Sequence, residues 1–453
     1  MSSGDDGFDE LAATAERVLH MAKQGEQLEV AVGKSATTSV RAFRGEVEAL
    51  TVADVTGIGV RMVVDGRMGF ASGGSLEADV IDEVVAEARD NLVFAEPDEH
   101  VALVAPDGVA AVELDVWDDT LAGLATDEKV SMAIDLERAV LDADPRISGI
   151  RTASYGDSAG RSVLASTAGV FATAQATMTS LGVLALARDG DETKSGGGSS
   201  VARGPGDLDL EEAAADAVER ATSLLGATQP PSGRVTLVLE PRMAASLLGI
   251  IGGMLSGERV LKGRTPFADR IGDQIGTAAL TLIDDPTNPA SFGARRFDGE
   301  GLAARSNALI AAGELQGFLH NSITASKSGA VSTASATRGL RSRPGVGWHA
   351  LAVQPQHGSL DDLVADVDHG LLVHSMAGLH SGVNAVSGDF SVGAEGIVIR
   401  DGVRCEPVNE VTIASTLPKI LQDIIAIGDD VEHRPGGVST PSLAIANVSM
   451  SGQ

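Results

Sequence analysis

The sequence predicts an α+β protein. We expect an N-terminal α/β domain with antiparallel strands and long helices, followed by a larger, mixed, β-rich C-terminal domain. Segments with the apolar period of a helix alternate with segments rich in β-branched residues. They do not follow a regular βαβ rhythm, which a doubly wound parallel sheet would need. Because 453 residues exceed what one core usually organises, we expect three domains, at residues 1–110, 111–229 and 230–453.

The first domain is predicted to combine two helices with an antiparallel meander. Apolar residues recur at helical spacing between Phe8 and Gly25. Residues 28–74 alternate β-branched and polar side chains, and Asp65-Gly66 is their clearest tight turn. Ser75 is the expected N-cap of the second helix, whose acidic first turn suits the helix dipole.

The middle domain is predicted to contain two helices around a set of short strands. The helices are expected over 127–141 and 208–225, and the flexible KSGGGSS run between them is expected to be a loop. Pro230-Pro231 cannot continue a helix, so we place the main domain boundary there.

The C-terminal domain is predicted to mix strands and helices around a buried core. RVTLVLEP, ALTLIDDP and SLAIANVSM have the composition of strands, whereas SLDDLVADVDHG and LPKILQDIIAIG have the pattern of helices. The apolar stretch from Met243 to Leu255 indicates a core helix.

Composition argues against several functional classes. The formal charge of −29 opposes binding to phosphate backbones, and 3% aromatic residues provide little material for base stacking. The single cysteine, Cys405, excludes an intramolecular disulfide and a CxxC metal site. The acidic start MSSGDDGFDE lacks a secretory pattern, and no stretch reaches the roughly 18 apolar residues of a membrane span. We therefore expect a cytoplasmic protein without nucleic-acid or membrane partners.

Two short motifs resemble catalytic or phosphate-binding sequences without their context. Residues 156–160 match G-x-S-x-G around Ser158, but the next residues predict a strand instead of the required helix. We therefore expect a polar hairpin turn there. Gly33-Lys34-Ser35 resembles the end of a phosphate-binding loop, but Leu28 stands where its first glycine is needed.

The histidines offer only weak support for a metal site. His374 and His380 lie in a glycine-rich segment with five residues between them, without HExxH and without a nearby third ligand. Surface or cleft-lining histidines are the preferred interpretation, and a metal site at this pair is the alternative. His320, His349 and His357 cannot be grouped from sequence.

Other ionisable clusters are predicted to be mainly structural. Asp284-Asp285 and the residues 298–300 place carboxylates close together, as a divalent ion or acid–base chemistry would require. Acidic turns are the preferred interpretation in so negative a chain. There are two candidate groups of basic residues. One is Arg295-Arg296, and the other consists of Arg338, Arg341 and Arg343. Either group could hold a carboxylate or an acidic partner, but solvated loops are an equally good interpretation.

Longer motifs resemble those of one family almost from end to end. In the first half the segment is RGEVEALTVADVTGIGVRMVVDGRMGFASG. In the second half the segments are RIGDQIGTAALTLIDDP, FDGEGLAARSNALIAAGELQGFLHNSITASKSG, SGVNAVSGDFSVGAEGIVIRDGV, VNEVTIASTLPKILQDIIAIGDDV and TPSLAIANVSMSG. Together they resemble the TldD/PmbA family, historically called modulators of DNA gyrase.

The resemblance implies which kind of subunit this chain is. TldD-type subunits bind a metal through an HExxxH helix and a later cysteine, and their glutamate activates water. The corresponding segment here, MAASLLGIIGGMLSGERVLKGRTPFADRIG, has no histidine, and the tail VEHRPGGVSTPSL has no cysteine. Glu258 is the only acid between Met243 and Lys262. The chain therefore resembles the PmbA or TldE kind, and SGDFSVGAEGIVIRDG agrees with that.

The resemblance further implies a heterodimer with a TldD-like homologue that carries zinc or a similar divalent metal. This chain, inactive alone and without catalytic, cofactor or metal residues of its own, would help to hold unfolded peptides or leader segments as extended strands. One alternative is a non-enzymatic, homodimeric peptide-binding or scaffold protein. Another is an independent hydrolase that uses His374 with His380, or Ser158.

Overall fold

The computed structural model describes residues 6–453 and has the predicted α+β architecture, built around three six-stranded sheets. Residues 1–5, part of the acidic start in which no secretory signal is expected, lie outside the described residues. No helix within 6–453 has both the length and the apolar character to cross a membrane.

The N-terminal half contains five α-helices and six strands within the described residues. In chain order they are α1 (Asp6–Leu19), β1 (Gln27–Phe43), β2 (Glu46–Val64), β3 (Arg67–Gly73), α2 (Ala78–Asp90), α3 (Thr120–Gly123), α4 (Thr126–Ala143), β4 (Ile147–Ser166), β5 (Phe171–Asp189), β6 (Glu192–Ala202) and α5 (Leu210–Thr222).

These six strands form one antiparallel sheet in the order β3-β2-β1-β4-β5-β6. Asp65 and Gly66 have positive φ angles of 48° and 73° and join β2 to β3, so the predicted tight turn is confirmed. Because β1 pairs with β4, the ranges 1–110 and 111–229 contribute to the same sheet. The boundary between these two domains stays a prediction.

The helices of this half pack on one face of the sheet. Alternate residues of β1 point toward them: Val30 and Val32 contact the core formed with α1 and α2, and Val40 contacts the core formed with α4 and α5. Side chains of a strand alternate between faces, so Glu29 points to the opposite face. That opposite face meets the C-terminal half, since Glu29 contacts Arg338.

The KSGGGSS run is part of strand β6, so the prediction of a loop is wrong. Gly196 and Gly198 lie directly beneath α5. A Cβ atom at Gly196 would lie 2.2 Å from the Ala221 nitrogen, and one at Gly198 would lie 1.9 Å from the Ala213 oxygen. The glycines permit close packing of helix on strand, and they are not a sign of flexibility.

Two further local predictions in this half are wrong. Helix α2 has its N-cap at Glu77, and Ser75 lies two residues earlier, where its Oγ accepts a hydrogen bond of 3.1 Å from the Glu77 N–H. Residues 156–160 lie in the middle of β4, paired with β1 on one side and β5 on the other, and do not form a hairpin turn. Sheet pairing on both sides overrides the local turn signal of their glycines.

The C-terminal half contains the remaining elements. They are β7 (Gly233–Leu239), α6 (Pro241–Met254), α7 (Gly257–Leu261), β8 (Leu282–Asp284), β9 (Asn307–Ala311), β10 (Glu314–Leu315), α8 (Ser322–Ser328), β11 (Ala336–Thr337), β12 (Gly345–Val346), β13 (Leu351–Val353), α9 (Leu360–Ala365), β14 (His369–Ala377), β15 (Asp389–Arg400), β16 (Val403–Thr416), α10 (Leu417–Gln422), β17 (Ile424–Ile427), β18 (Glu432–Arg434), β19 (Val438–Thr440) and β20 (Leu443–Ser451).

Two six-stranded sheets enclose the predicted core helix. Their strand orders are β16-β15-β14-β7-β20-β17 and β10-β9-β8-β13-β19-β18, and a further β16–β20 pairing closes the first sheet into a barrel. Leu247, Leu248 and Ile251 of α6 lie in the main core, which confirms the helix expected between Met243 and Leu255.

The segment LPKILQDIIAIG is only half helical, so its prediction as one helix is wrong in the second half. Helix α10 ends at Gln422, and residues 424–427 form β17, which pairs with β20. The apolar residues of this short segment fit either period, and pairing with a neighbouring strand selects the strand.

Candidate functional site

Helix α6 occupies the place where the family resemblance expects a metal-binding helix in TldD-type subunits. Its partly exposed residues are Arg242, Ser246, Gly249, Ile250 and Gly253. None of them supplies the imidazole, thiolate or carboxylate that zinc prefers. Among residues 6–453, no group of three or more His, Cys, Asp or Glu is arranged to hold a metal ion. The partly exposed side chains of α6 therefore do not fit a metal.

Close packing with Trp348 and Leu351 determines the position of α6. The Trp348 indole N–H donates to the Gly249 carbonyl oxygen at 3.3 Å. A Cβ atom at Gly252 would lie 2.6 Å from a Leu351 methyl carbon and 2.8 Å from the Trp348 ring. The absence of a side chain at Gly252 thus allows Trp348 and Leu351 to pack directly on the helix backbone.

A cavity of about 490 Å³ lies at the N-terminal end of α6, between α5 and the C-terminal sheet. It is lined mainly by charged side chains. The carboxylates are Asp216, Glu219, Glu240, Asp430 and Glu432, and the basic groups are Arg220, Arg404 and His374. The five carboxylates outnumber the three basic groups, so the cavity is acidic.

Glu240, the residue before α6, is the most buried carboxylate of this cavity. Its Oε1 lies 3.1 Å from His374 Nδ1, in a contact without hydrogen-bond geometry, and its Oε2 lies 3.5 Å from Arg220 Nη2. Burial raises the pKa of this carboxyl, but the neighbouring His374, Arg220 and Arg242 together outweigh burial and hold the pKa below its usual value. Glu240 is therefore ionised at neutral pH.

A β-bulge places His374 beside Glu240. The pairing between β14 and β15 shifts register between Val373 and Ser375, so His374 is the extra residue of the bulge. Arg242 Nη2 donates to the His374 carbonyl oxygen at 2.8 Å. The strand and the start of α6 together fix the position of this buried imidazole.

A histidine beside a carboxylate can act as a general base, but hydrolysis also requires a nucleophile or a metal. Ser223 and Cys405 line the same cavity. Ser223 Oγ has no hydrogen-bond partner within residues 6–453, and Cys405 Sγ donates to the Val403 carbonyl oxygen at 3.4 Å. Neither is hydrogen-bonded to His374. Ser158, in the middle of β4, is not among the lining residues.

His374 and His380, the alternative metal ligands from sequence, have different surroundings. His374 is buried in β14, whereas His380 is exposed beyond the end of that strand. In the described part of the chain no third side chain completes a metal-binding group with them.

The other predicted candidates also lie apart. His357 is exposed, and Glu258 forms an exposed ion pair with Lys262. His320 is buried, and its Nδ1 lies 3.3 Å from Thr324 Oγ1.

The acidic residues at 284 and 298 are both buried. Asp298 precedes a turn, as the sequence predicts, whereas Asp284 is the last residue of strand β8. Asp284 Oδ1 accepts hydrogen bonds from the His349 and Ala350 N–H groups at 2.8 and 2.7 Å. Asp298 accepts three backbone hydrogen bonds within the connection that precedes β9 and from β11. Burial raises the pKa of each of these two carboxyls to about 6 and lowers that of His349 to about 3.

The two arginine groups do not behave alike. Arg338 is buried and forms an ion pair with Glu29, whereas Arg341 and Arg343 are exposed. Arg296 pairs with Glu113 at 2.8 Å. Solvated loops are thus the wrong interpretation for Arg338, because its guanidinium joins the two halves of the molecule.

Sequence reasoning missed the buried charges of the N-terminal sheet. Arg61 Nη2 lies 2.7 Å from Glu29 Oε2, and Arg61 Nη1 lies 3.5 Å from Glu300 Oε1. Glu29 and Arg61 interrupt the apolar runs LEVAV and GVRMVV. A charged residue inside such a run is the signal that would have predicted a buried pair.

Comparison with known proteins gives the same family over nearly the whole chain. Three domain models match, described as PmbA/TldA metallopeptidase domain 1 at residues 28–92, central domain at 119–225 and C-terminal domain at 232–452. The chain is 28% identical to the metalloprotease PmbA of Escherichia coli O157:H7, with 92% of each chain covered. It is 26% identical to the PmbA homologue of Haemophilus influenzae, with 95% of this chain and 93% of the homologue covered.

Solved structures show the same fold. A putative modulator of DNA gyrase from Thermotoga maritima has a TM-score of 0.90 at 26% identity, covering 97% of this chain and 100% of that one. TldE from Thermococcus kodakarensis has a TM-score of 0.89 at 24% identity, covering 98% of this chain and 100% of that one.

Proposed function

Because the chain belongs to the PmbA/TldD metallopeptidase family, we propose that it is a PmbA/TldE-like subunit without a metal, which acts in a heterodimer with a TldD-like homologue. In this proposal the homologue holds zinc or a similar divalent ion and hydrolyses the peptide bond. This chain helps to hold unfolded peptides or leader segments for that reaction.

The observation that carries the proposal is the side-chain composition of α6. The helix lies in the segment where the family resemblance expects metal ligands, but its partly exposed residues are an arginine, a serine, an isoleucine and two glycines. A water-activating peptidase needs metal ligands or a nucleophile connected to its base. A chain that keeps the fold without either is best explained as a structural and substrate-holding half of a two-chain enzyme.

The test is metal content and peptidase activity, measured for the chain alone and after mixing with its closest HExxxH-bearing homologue. We expect bound metal and chelator-sensitive cleavage of an unfolded peptide only in the mixture. The matched control is the homologue with its HExxxH glutamate replaced by glutamine, which should form the same complex without cleaving the peptide.

Two results would contradict the proposal. Stoichiometric metal with chelator-sensitive activity in the isolated chain would show that it is an independent peptidase. Peptide binding by a homodimer of this chain, with no complex formed with the homologue, would favour the scaffold alternative.

A further inference from the structure

We propose that the open edge of strand β2, residues 49–56, is the surface on which the metal-bearing homologue adds a strand of its own. The inference rests on the proposed function, since it assigns the docking surface of that partner. Two features support this inference. The edge is long, unpaired and carries exposed apolar side chains, and the turn that leads into β2 is bound by a buried carboxylate.

The edge is open because β3 covers only part of β2. Strand β3 pairs with residues 58–64, whereas residues 46–57 pair with β1 alone. Within residues 6–453, no other backbone group hydrogen-bonds to the outer side of this stretch. An edge with unpaired N–H and C=O groups is a ready template for another strand.

This edge carries several apolar side chains that are exposed to solvent. Val47, Leu50 and Val52 pair with residues of β1 that face the helices, so they share one face of the sheet, and they are 43%, 45% and 62% exposed. Val55, on the other face, is 46% exposed. Edges that must stay free often carry lysine or proline; residues 49–56 contain neither, and Asp54 is their one charged residue. Neighbouring apolar side chains in solvent mark a contact surface.

The edge is also pre-organised by the turn between β1 and β2. The buried Glu137 carboxylate on α4 accepts hydrogen bonds from the Arg44 and Gly45 N–H groups at 2.8 and 2.7 Å. Val40 of β1 is fully buried against α4. A partner strand would therefore meet an ordered edge, and binding would cost little additional ordering of this chain.

The side chains along the edge favour a homologous partner over a second copy. Glu48 is the extra residue of a bulge, so regular pairing is possible from Ala49 onward. Symmetric pairing of two copies about Val52 would set each Leu50 opposite Asp54, an apolar residue against a charge. Two chains of formal charge −29 also repel each other. The fitting strand presents apolar residues opposite Leu50 and Val52, and a basic residue opposite Asp54.

The experiment places lysine on the edge and measures binding to the HExxxH-bearing homologue. We expect the double variant Leu50→Lys/Val52→Lys to weaken the complex by at least about tenfold, because two buried cations would face an apolar strand. Its thermal unfolding should match that of the natural chain, since both positions are exposed. The matched control is Val93→Lys, which changes a valine that is 78% exposed outside the sheet and should leave affinity unchanged.

Each outcome decides the inference. If the natural chain binds the homologue and the double variant binds within about twofold of it, the docking surface is elsewhere and the proposed function still stands. If the natural chain associates with itself and the double variant does not, the occupant of the edge is a second copy and the inference is wrong. If the natural chain binds no such homologue, the proposed function fails and this inference fails with it. If the complex forms normally but loses affinity for unfolded peptide, the edge holds substrate instead of the partner.

Discussion

At the scale of single residues, Asp284 shows how burial sets the ionisation of a carboxyl. Its Oδ1 accepts two backbone hydrogen bonds, whereas its buried Oδ2 has no hydrogen-bond partner within residues 6–453. Burial raises the pKa to about 6, well above the value near 3.9 of an unfolded chain. The folded protein thus binds a proton more tightly than the unfolded chain does, so this group stabilises the fold at acidic pH and loses that contribution as pH rises through about 6.

We therefore predict that Asp284→Asn, a neutral substitute, gains stability relative to the natural chain as pH rises. Between pH 5 and pH 8 the difference in free energy of unfolding between variant and natural chain should grow by on the order of 1 kcal/mol in favour of the variant. Denaturant unfolding at the two pH values measures it. The exposed Glu83→Gln is the control and should show no such change, and an unchanged difference for Asp284→Asn would refute the assignment.

At the scale of elements, the glycines of β6 determine how closely α5 packs on the sheet. Gly196 and Gly198 point toward the helix, whereas Gly197 points to the opposite face, where the nearest atom to an added Cβ is the Val183 carbonyl oxygen at 3.8 Å. Three consecutive glycines thus differ in what a methyl group would meet.

We predict that Gly198→Ala lowers the free energy of unfolding by about 1–3 kcal/mol or more, because the helix backbone must move to admit the methyl group. Gly197→Ala is the matched control and should be neutral or slightly stabilising, since alanine reduces the freedom of the unfolded chain. Thermal or denaturant unfolding compares the two. Equal effects of both substitutions would show that close packing of α5 is not why glycine occurs there.

At the scale of the whole molecule, a buried ion network joins the N-terminal sheet to the C-terminal half. Glu29 contacts both Arg61 and Arg338, and Arg61 also contacts Glu300, which lies in the C-terminal half. Burial raises the pKa of Glu29, but the two arginines outweigh burial and hold the pKa below its usual value. Glu29 is therefore charged at neutral pH, and its removal would leave the buried Arg338 guanidinium without its ion-pair partner.

We predict that Glu29→Gln destabilises the protein by about 3–5 kcal/mol, because two buried guanidinium groups would lose their shared carboxylate. The control is Asp82→Asn, which removes an exposed partner of Arg17 and should cost less than about 1 kcal/mol. Denaturant unfolding at pH 7 measures both. A loss below about 1 kcal/mol for Glu29→Gln would contradict the network as a link between the halves.

The sequence predicts those parts of the fold whose structure is determined by neighbouring residues in the chain. The helical period around Leu247 and the Asp65-Gly66 turn are local, and both were predicted correctly. The glycines of β6 and the helix-like end of LPKILQDIIAIG were misread because packing against distant elements determines their structure.

The same distinction applies to the candidate site. The absence of histidines from the α6 segment is visible in the sequence. The cavity around Glu240 and His374 is not, because 134 positions separate these residues along the chain and a bulge sets the orientation of the imidazole. The buried partners of Arg61 come from both halves for the same reason.

The place of β1 between β2 and β4 affects how the chain folds during synthesis. Strand β1 begins at Gln27, but β4, its second neighbour, begins only at Ile147. On the ribosome the first hairpin emerges while one side of β1 still lacks its neighbour, and such unpaired edges are prone to aggregate. High sequence separation also slows the closing of the sheet. Translation through β4 is thus the earliest moment at which the first strand is paired on both sides.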